Sequence, residues 1–235
     1  METPPSILIT GSNRGLGLEW ARQYAEAGWR VYATCRYPDV AEDLHELAKR
    51  YERVSIHQLD VTHAEDVVNV AERLAGRPLD RLVNNAGIYL ERWGRDHLGE
   101  IDYVDWLQTY RVNVLGAVRV TEALMEALAR SEQAVVAAIS SHMGSISEIA
   151  SPSDYAYRSS KAALNAVFRG LSFELGQQQI GVLLFHPGWV RTRMGGKKAP
   201  ITPEQSVGGM RALMERFTPE MSGRFYKFDG SEMPW

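Results

Sequence analysis

The sequence predicts an α/β fold, a doubly wound and mainly parallel sheet with helices on both faces, and three observations predict it. Short apolar runs alternate with longer segments whose apolar residues recur at helical spacing. Most intervals between runs leave room for a crossover helix, as parallel βαβ units require. The first four runs are near-continuous rather than alternating in polarity, which is the pattern of strands covered on both faces.

The runs fall at residues 7–9, 31–33, 54–56, 82–83, 134–139, 181–185 and 224–228, giving seven expected strands. Helical periodicity marks 16–27, 40–51, 64–75, 103–129 and 155–176, with Gly176 placed as a C-terminal stop. The stretch 189–203 differs. It holds Gly195, Gly196, Lys197, Lys198 and Pro200 with little periodicity, and a long irregular segment in a compact domain usually serves function, so a substrate loop is expected there.

The chain has 235 residues, long for one domain, yet no linker, repeat or low-complexity tract divides it. Residues 1–235 therefore read as a single domain. A composition of 45% hydrophobic and 23% charged residues excludes disorder and a collagen-like fibre. Twenty-six Lys and Arg against 29 Asp and Glu leave a net charge of −3, without the broad basic field that nucleic-acid binding needs. Cys35 stands alone, so an internal disulfide and Cys-rich zinc modules are excluded and a reducing compartment fits. The first residues lack a basic n-region and no 18 apolar residues run together, so a cytoplasmic protein with no membrane partner is expected. His142 and His186 have no metal-ligand spacing, and no metal is expected. No Gly-x-Ser-x-Gly elbow is present for a hydrolase nucleophile.

Between the first strand and first helix lies Thr10-Gly11-Ser12-Asn13-Arg14-Gly15-Leu16-Gly17. Glycines at 11, 15 and 17 permit a tight turn and close approach of a pyrophosphate, whose charge the helix N-terminus stabilises. The bland alternative is an ordinary glycine-rich turn. In NAD-binding sheets an acidic residue closes the second strand, but here the strand ends Thr34-Cys35-Arg36. Arg36, with Arg14 in the glycine loop, suits the 2′-phosphate of NADP(H), although two solvated surface arginines would look the same.

Tyr157 and Lys161 stand four apart on an expected helix, so phenol and ammonium share a face. Alone, the pair is as compatible with a solvated helix face as with acid–base chemistry. A neighbouring ammonium and an oxidised nicotinamide would both favour the phenolate. Ser141, just past the fifth strand, could donate to a substrate carbonyl oxygen, or be a turn serine. Carboxyl ends of parallel strands are where such sites gather.

Together with Asn84-Asn85-Ala86-Gly87 and Asn113, these residues closely resemble the short-chain dehydrogenase/reductase family over nearly the whole chain. The matches are Thr10 to Gly17, Asp60 with Val61, Asn84 to Gly87, Asn113, Ser141, Tyr157 with Lys161, and Pro187-Gly188-Trp189-Val190-Arg191-Thr192. The resemblance implies a single Rossmann domain with strand order 3-2-1-4-5-6-7 and a carbonyl or alcohol substrate. It makes Tyr157 the general acid/base, assisted by Lys161, which also holds the ribose. Ser141 would polarise the carbonyl and Asn113 would hold a water in a proton relay.

The same resemblance implies cofactor contacts at Gly11, Ser12, Asn13, Arg14, Gly15, Leu16, Gly17, Arg36, Asp60, Val61, Asn85, Ala86, Gly87, Tyr157, Lys161, Pro187, Gly188, Val190 and Thr192. Asp60 would touch adenine, Asn84 and Gly87 would flank the adenosine ribose, and Thr192 would bind the carboxamide. Cys35-Arg36, the segment 155–165 and the closing 230–235 look most like the C-factor and sniffer-type carbonyl reductase branch. Ser141 precedes Tyr157 by 16 positions, more than in many members, so added residues within 145–154 reshape the pocket wall. The Gly144 spacing selects Ser141 over Ser140.

The substrate region is expected among residues 141–155, Trp93, Trp189 and the stretch after Thr192, with Met143, Ile149 and Met194 suggesting an apolar carbonyl compound. Arg191, Arg193, Lys197 and Lys198 are taken as loop charges. The resemblance implies a homodimer or homotetramer through the helices at 103–129 and 155–176. The expected function is NADPH-dependent reduction of an aldehyde, ketone or quinone to an alcohol with Tyr157 as general acid, and two others remain open: an NAD(P)-binding signalling or sensor protein with little turnover, and a dehydrogenase running mainly toward oxidation with NAD.

Overall fold

The computed structural model describes residues 4–91 and 97–235. Its seven strands are β1 (Ser6–Ile9), β2 (Arg30–Cys35), β3 (Val54–Gln58), β4 (Arg81–Asn84), β5 (Val135–Ile139), β6 (Gly181–His186) and β7 (Arg224–Lys227). All pair in parallel in the order β3-β2-β1-β4-β5-β6-β7. The helices are α1 (Gly15–Glu26), α2 (Glu42–Arg50), α3 (Ala64–Arg73), α4 (Tyr103–Tyr110), α5 (Ala117–Ala123), α6 (Met125–Ala129), α7 (Tyr155–Gly176) and α8 (Pro203–Glu215).

Strand periodicity decides which helix covers which face. Along β5, Val136 and Ala138 face one side, while Val135, Ala137 and Ile139 face the other; β6 splits Val182 and Leu184 from Leu183 and Phe185 in the same way. The first face packs against Val67 and Val70 of α3, Val120 of α5, and Leu164 and Phe168 of α7. The second packs against Trp20 and Tyr24 of α1, Leu44 of α2, and Val207 and Met210 of α8. Each large side chain so buried contributes about 1.5–3 kcal/mol, and the two apolar layers explain why the central strands carry almost no polar residues.

Two elements depart from the sequence expectation. The helix expected over 103–129 is interrupted: α4 passes into a π-helical turn at Arg111–Gly116 before α5 resumes, and Leu124 separates α5 from α6. The wide turn turns Asn113 inward and lets Gly116 approach Val61, where an added Cβ would lie 2.5 Å from a valine methyl. The other departure is α8, for which no expectation was set. Its start is encoded locally, because Thr202 accepts the N–H of Gln205 and the Gln205 side chain accepts the N–H of Thr202, with Pro203 in the first turn.

Order reverses between β1 and β4, the topological switch point of the sheet. The loops leaving β1, β4, β5 and β6 all open there, which is where ligands bind in open α/β sheets. Among the described residues, no helix is long and apolar enough to cross a membrane.

Candidate active site

The glycine loop after β1 is held from both sides. Thr10 is buried and its hydroxyl accepts the N–H groups of Asn85 (3.0 Å) and Ala86 (2.9 Å), while Asn85 Nδ2 donates to the carbonyls of Thr10 (2.9 Å) and Gly11 (3.1 Å). The turn therefore locks onto the end of β4. A Cβ on Gly17 would sit 2.2 Å from the Gly11 carbonyl oxygen, so only glycine allows α1 to begin so close to the loop. Gly15 adopts φ +56 and faces Thr192, whose methyl an added Cβ would meet at 3.4 Å.

Ser12 is fully buried and its hydroxyl donates to the Ile9 (2.9 Å) and Thr34 (3.1 Å) carbonyls, so this side chain shapes the loop. Asn13 is half-buried, while Leu16 packs toward the second core layer. Arg14 and Arg36 are exposed at the loop mouth. Burial first, then the charges of Arg193 and Arg36, hold the Arg14 guanidinium below its usual range. The structure thus adds Arg193, read as a loop charge from sequence, to the same cationic corner. A cleft of backbone N–H groups ringed by guanidiniums fits a dinucleotide phosphate.

At the ends of β3 and β6 the expected contacts take defined places. Asp60 Oδ1 accepts the N–H (2.9 Å) and hydroxyl (2.7 Å) of Thr62, and Val61 is buried. Burial alone would raise the Asp60 carboxyl, but the Thr62 hydrogen bonds outweigh it and the group is held below the usual carboxylate range. Asn84 turns away from the cleft and donates to the Thr121 hydroxyl at 2.9 Å. Pro187 accepts from Ser206 (2.6 Å), Gly188 adopts φ +83, and the buried Val190 bridges to Ile201, closing the loop that carries Thr192. The Thr192 hydroxyl accepts from the Gly195 N–H at 3.1 Å.

The chemical end gathers on α7. Tyr157 and Lys161 are both buried on one face of the helix, with Lys161 Nζ 5.7 Å from the phenol ring centroid. Lys161 Nζ donates to the carbonyl of Ile139, the last residue of β5, at 2.8 Å. Ser141 caps a short 3-10 turn, its hydroxyl accepting the Met143 N–H at 3.1 Å. Gly144 in that turn lies so close to Lys161 that a Cβ would come within 2.8 Å of its backbone. Asn165 Nδ2, one turn beyond Lys161, donates to the Gly144 carbonyl at 3.2 Å, so the Ser141 turn is clamped to α7. Ser140 is buried with its N–H on the Phe185 carbonyl (2.7 Å), leaving Ser141 as the serine beside the phenol.

Burial dominates the charges. It pushes the Tyr157 phenol up to about 12, the hydrogen bond with Ser141 working against it, and pulls the Lys161 ammonium down to about 8. At neutral pH the phenol holds its proton. Asn113, in the π-helical turn, accepts the Ile88 N–H (2.8 Å) and donates to the Ile88 carbonyl (3.0 Å) and the Ser160 hydroxyl (3.1 Å). Ser160 donates in turn to the Tyr157 carbonyl at 2.8 Å. Asn113 and Tyr157 are thus linked through a residue that the sequence motifs did not single out.

Around this centre Met143 is buried, whereas Ile149, Trp189 and Met194 are exposed on the surrounding loops, and Trp189 Nε1 donates to the Gly195 carbonyl at 2.7 Å. Trp93 lies outside the described residues. The His142 and His186 rings stand 5.0 Å apart, and burial, then His142 and Lys227, depress His186 to about 3, so it is neutral. Among the described residues no three His, Cys, Asp or Glu side chains converge as a metal site would require.

Known proteins are similar to this chain in sequence and in fold. C-signal of Myxococcus xanthus is 42% identical over 158 residues, 67% of this chain and 93% of its own length. The NADPH-bound carbonyl reductase from chicken fatty liver superposes with a TM-score of 0.91 at 31% identity, covering 100% of both chains. Carbonyl reductase Sniffer of D. melanogaster gives a TM-score of 0.91 at 30% identity over 99% of this chain and 100% of that one. The family model for short chain dehydrogenases matches residues 5–201, from the first strand through the loop after β6, and the chain therefore belongs to that family of oxidoreductases.

Proposed function

We propose that this protein is an NADPH-dependent carbonyl reductase, converting an aldehyde, ketone or quinone to an alcohol. The observation that carries the reading is a buried, protonated Tyr157 phenol set beside the Ser141 hydroxyl and the Lys161 ammonium at the sheet's switch point. NADPH in the chicken-liver carbonyl reductase supports the cofactor, as does the cationic corner of Arg14, Arg36 and Arg193. The glycine loop and Thr192 would hold the dinucleotide, Arg36 and Arg14 its 2′-phosphate. When bound, the reduced nicotinamide supplies hydride from its C4.

The remaining chemistry belongs to this chain. The Met143 N–H fills a lone pair of Ser141 Oγ, directing the serine proton outward to the substrate carbonyl oxygen. As hydride reaches the carbonyl carbon, the phenol O–H breaks and its proton passes to the developing alkoxide. The tyrosinate that remains is stabilised by Lys161, which is oriented by the Ile139 carbonyl, and regains its proton from solvent. Ile149, Trp189 and Met194 on loops 145–154 and 189–203 would contact an apolar substrate.

The C-signal likeness favours a second reading, a cofactor-binding signalling protein with little turnover. One experiment separates them: titration with NADPH and NADH by nicotinamide fluorescence, followed by oxidation of bound NADPH with a panel of aldehydes, ketones and quinones. NADPH preference of about tenfold with turnover supports the reductase; binding without turnover of any carbonyl favours signalling.

A further inference from the structure

Helix α7 starts without a cap of its own. Asp154, the residue before it, lies in the left-handed region at φ 59, following Ser153 at φ 79, and its carboxylate makes no bond to the helix N-terminus. Asp154 is instead hydrogen-bonded by the Tyr89 hydroxyl. The first free helix donors go to another residue: Glu91 accepts the Ala156 N–H on one carboxylate oxygen (2.8 Å) and the Tyr157 N–H on the other (2.7 Å). A helix N-terminus is thereby capped by a side chain 65 residues earlier in the chain.

The segment leading to Glu91 runs past Lys161, Asn113 and Tyr157 in turn. An added Cβ on Gly87 would lie 3.6 Å from Lys161 Nζ and 3.4 Å from Asn113 Oδ1. Ile88 is bonded through both backbone groups to Asn113. Tyr89 sets its ring edge-on to Tyr157, with centroids 5.0 Å apart at 89°. Residues 87–91 are one strap from the end of β4 to the backbone of the proton donor.

We propose that Glu91 is a positioning residue for carbonyl reduction, its carboxylate seating the Tyr157 backbone while Tyr89 and Asp154 hold the strained turn that precedes it. Two charge-assisted bonds to successive amides fix both the height and the rotation of the helix start, and so the direction of the phenol. Proton donation is steep in geometry, and a displacement of about 1 Å costs about a hundredfold in rate. This inference rests on Tyr157 being the proton donor.

The test compares Glu91→Ala and Glu91→Gln with the wild type, with Asp80→Ala, which loses the bonds from the Ser6 N–H and the Ser131 hydroxyl at the opposite end of the sheet, as a stability control. Steady-state reduction of an aromatic ortho-quinone is measured beside NADPH affinity, and the 13Cζ resonance of Tyr157, identified by its loss in Tyr157→Phe, is followed with pH in the NADP+ complex. The expected result is a kcat lower by about tenfold or more in Glu91→Ala, a smaller loss in Glu91→Gln, and NADPH affinity within about twofold. The Tyr157 resonance or its pH midpoint moves in both Glu91 variants and stays in place in Asp80→Ala. An unmoved resonance in a folded Glu91→Gln, with only the melting temperature lowered, overturns the proposal. Should Glu91→Ala fail to fold, Glu91→Gln and Tyr89→Phe decide it by the same resonance. The resonance needs no turnover, so it tests Glu91 even if no carbonyl is reduced, whereas full activity in Tyr157→Phe would overturn Tyr157 as the proton donor, on which the inference rests.

Discussion

The two ends of the cleft are built by opposite means. The proposed phosphate end is a contiguous stretch, residues 10–17, whose backbone N–H groups and missing side chains would hold the dinucleotide, with exposed guanidiniums at its mouth. The chemical end is assembled from β5, the π-helical turn, α7 and the strap after β4, and its working groups are buried titratable side chains. A backbone cradle needs space and tolerates water. A buried phenol and ammonium need neighbours on every side, because unpaired polar groups in the interior cost about 1–3 kcal/mol each.

Substitutions that respect this division should separate the two ends. The largest expected effect is at the chemical end: Tyr157→Phe lowers kcat by about a thousandfold or more while NADPH affinity, read by fluorescence, changes less than about twofold. Loss of cofactor binding in that variant would break the comparison. Gly17→Ala should do the reverse. Its methyl would meet the Gly11 carbonyl oxygen and Asn85 Nδ2, at 2.2 and 2.6 Å, so NADPH binding is expected to fall by about a hundredfold, with about 1–3 kcal/mol of stability lost in urea melts. Gly170→Ala, with nothing within 4 Å, is the matched control and should be neutral or stabilising by up to about 1 kcal/mol.

A narrower effect tests the cationic corner. Arg36→Asp should weaken NADPH by about tenfold, about 1.4 kcal/mol, and leave NADH within about twofold; equal losses for both would remove Arg36 from the 2′-phosphate.

The smallest effect is on stability. Burial holds the folded Lys161 near 8 against an ordinary 10.5, so the penalty for burying its charge is fully present at low pH. Between about 8 and 10.5 the unfolded chain still binds a proton that the folded chain has released, and stability contributed by this group rises with pH. Tyr157 acts oppositely and higher, its raised phenol reducing stability from about 10 to about 12. Thermal melts from pH 7.5 to 9.5 should therefore show a more positive slope for the wild type than for Lys161→Met, and identical slopes would place Lys161 in solvent.

Legibility followed the same division. The glycine loop, the strands and the Tyr157–Lys161 spacing could be read directly because each depends on residues close in sequence. The helix α8 was equally local, and Thr202 with Gln205 was its available signal. The break in the expected 103–129 helix was not legible, since its apolar period continues while Gly116 and Val61 come together only in the folded chain. Ser12 and Asn84 show the limit from the other side: both stand in motif positions, yet their side chains are turned into the scaffold. Arg193 and Glu91 had no readable pattern, because their partners lie far away along the chain.

By itself, the sequence determined the parallel sheet, the glycine-rich turn after β1 and the placing of Tyr157 and Lys161 on one helix face, because hydrophobic period, glycine spacing and an i, i+4 pair are properties of neighbouring residues. Only the tertiary structure decided that burial leaves Tyr157 protonated and depresses Lys161, and that Glu91 caps the helix carrying both. Those outcomes depend on desolvation and on contacts across 65 or more residues, which exist only once the chain has closed on itself.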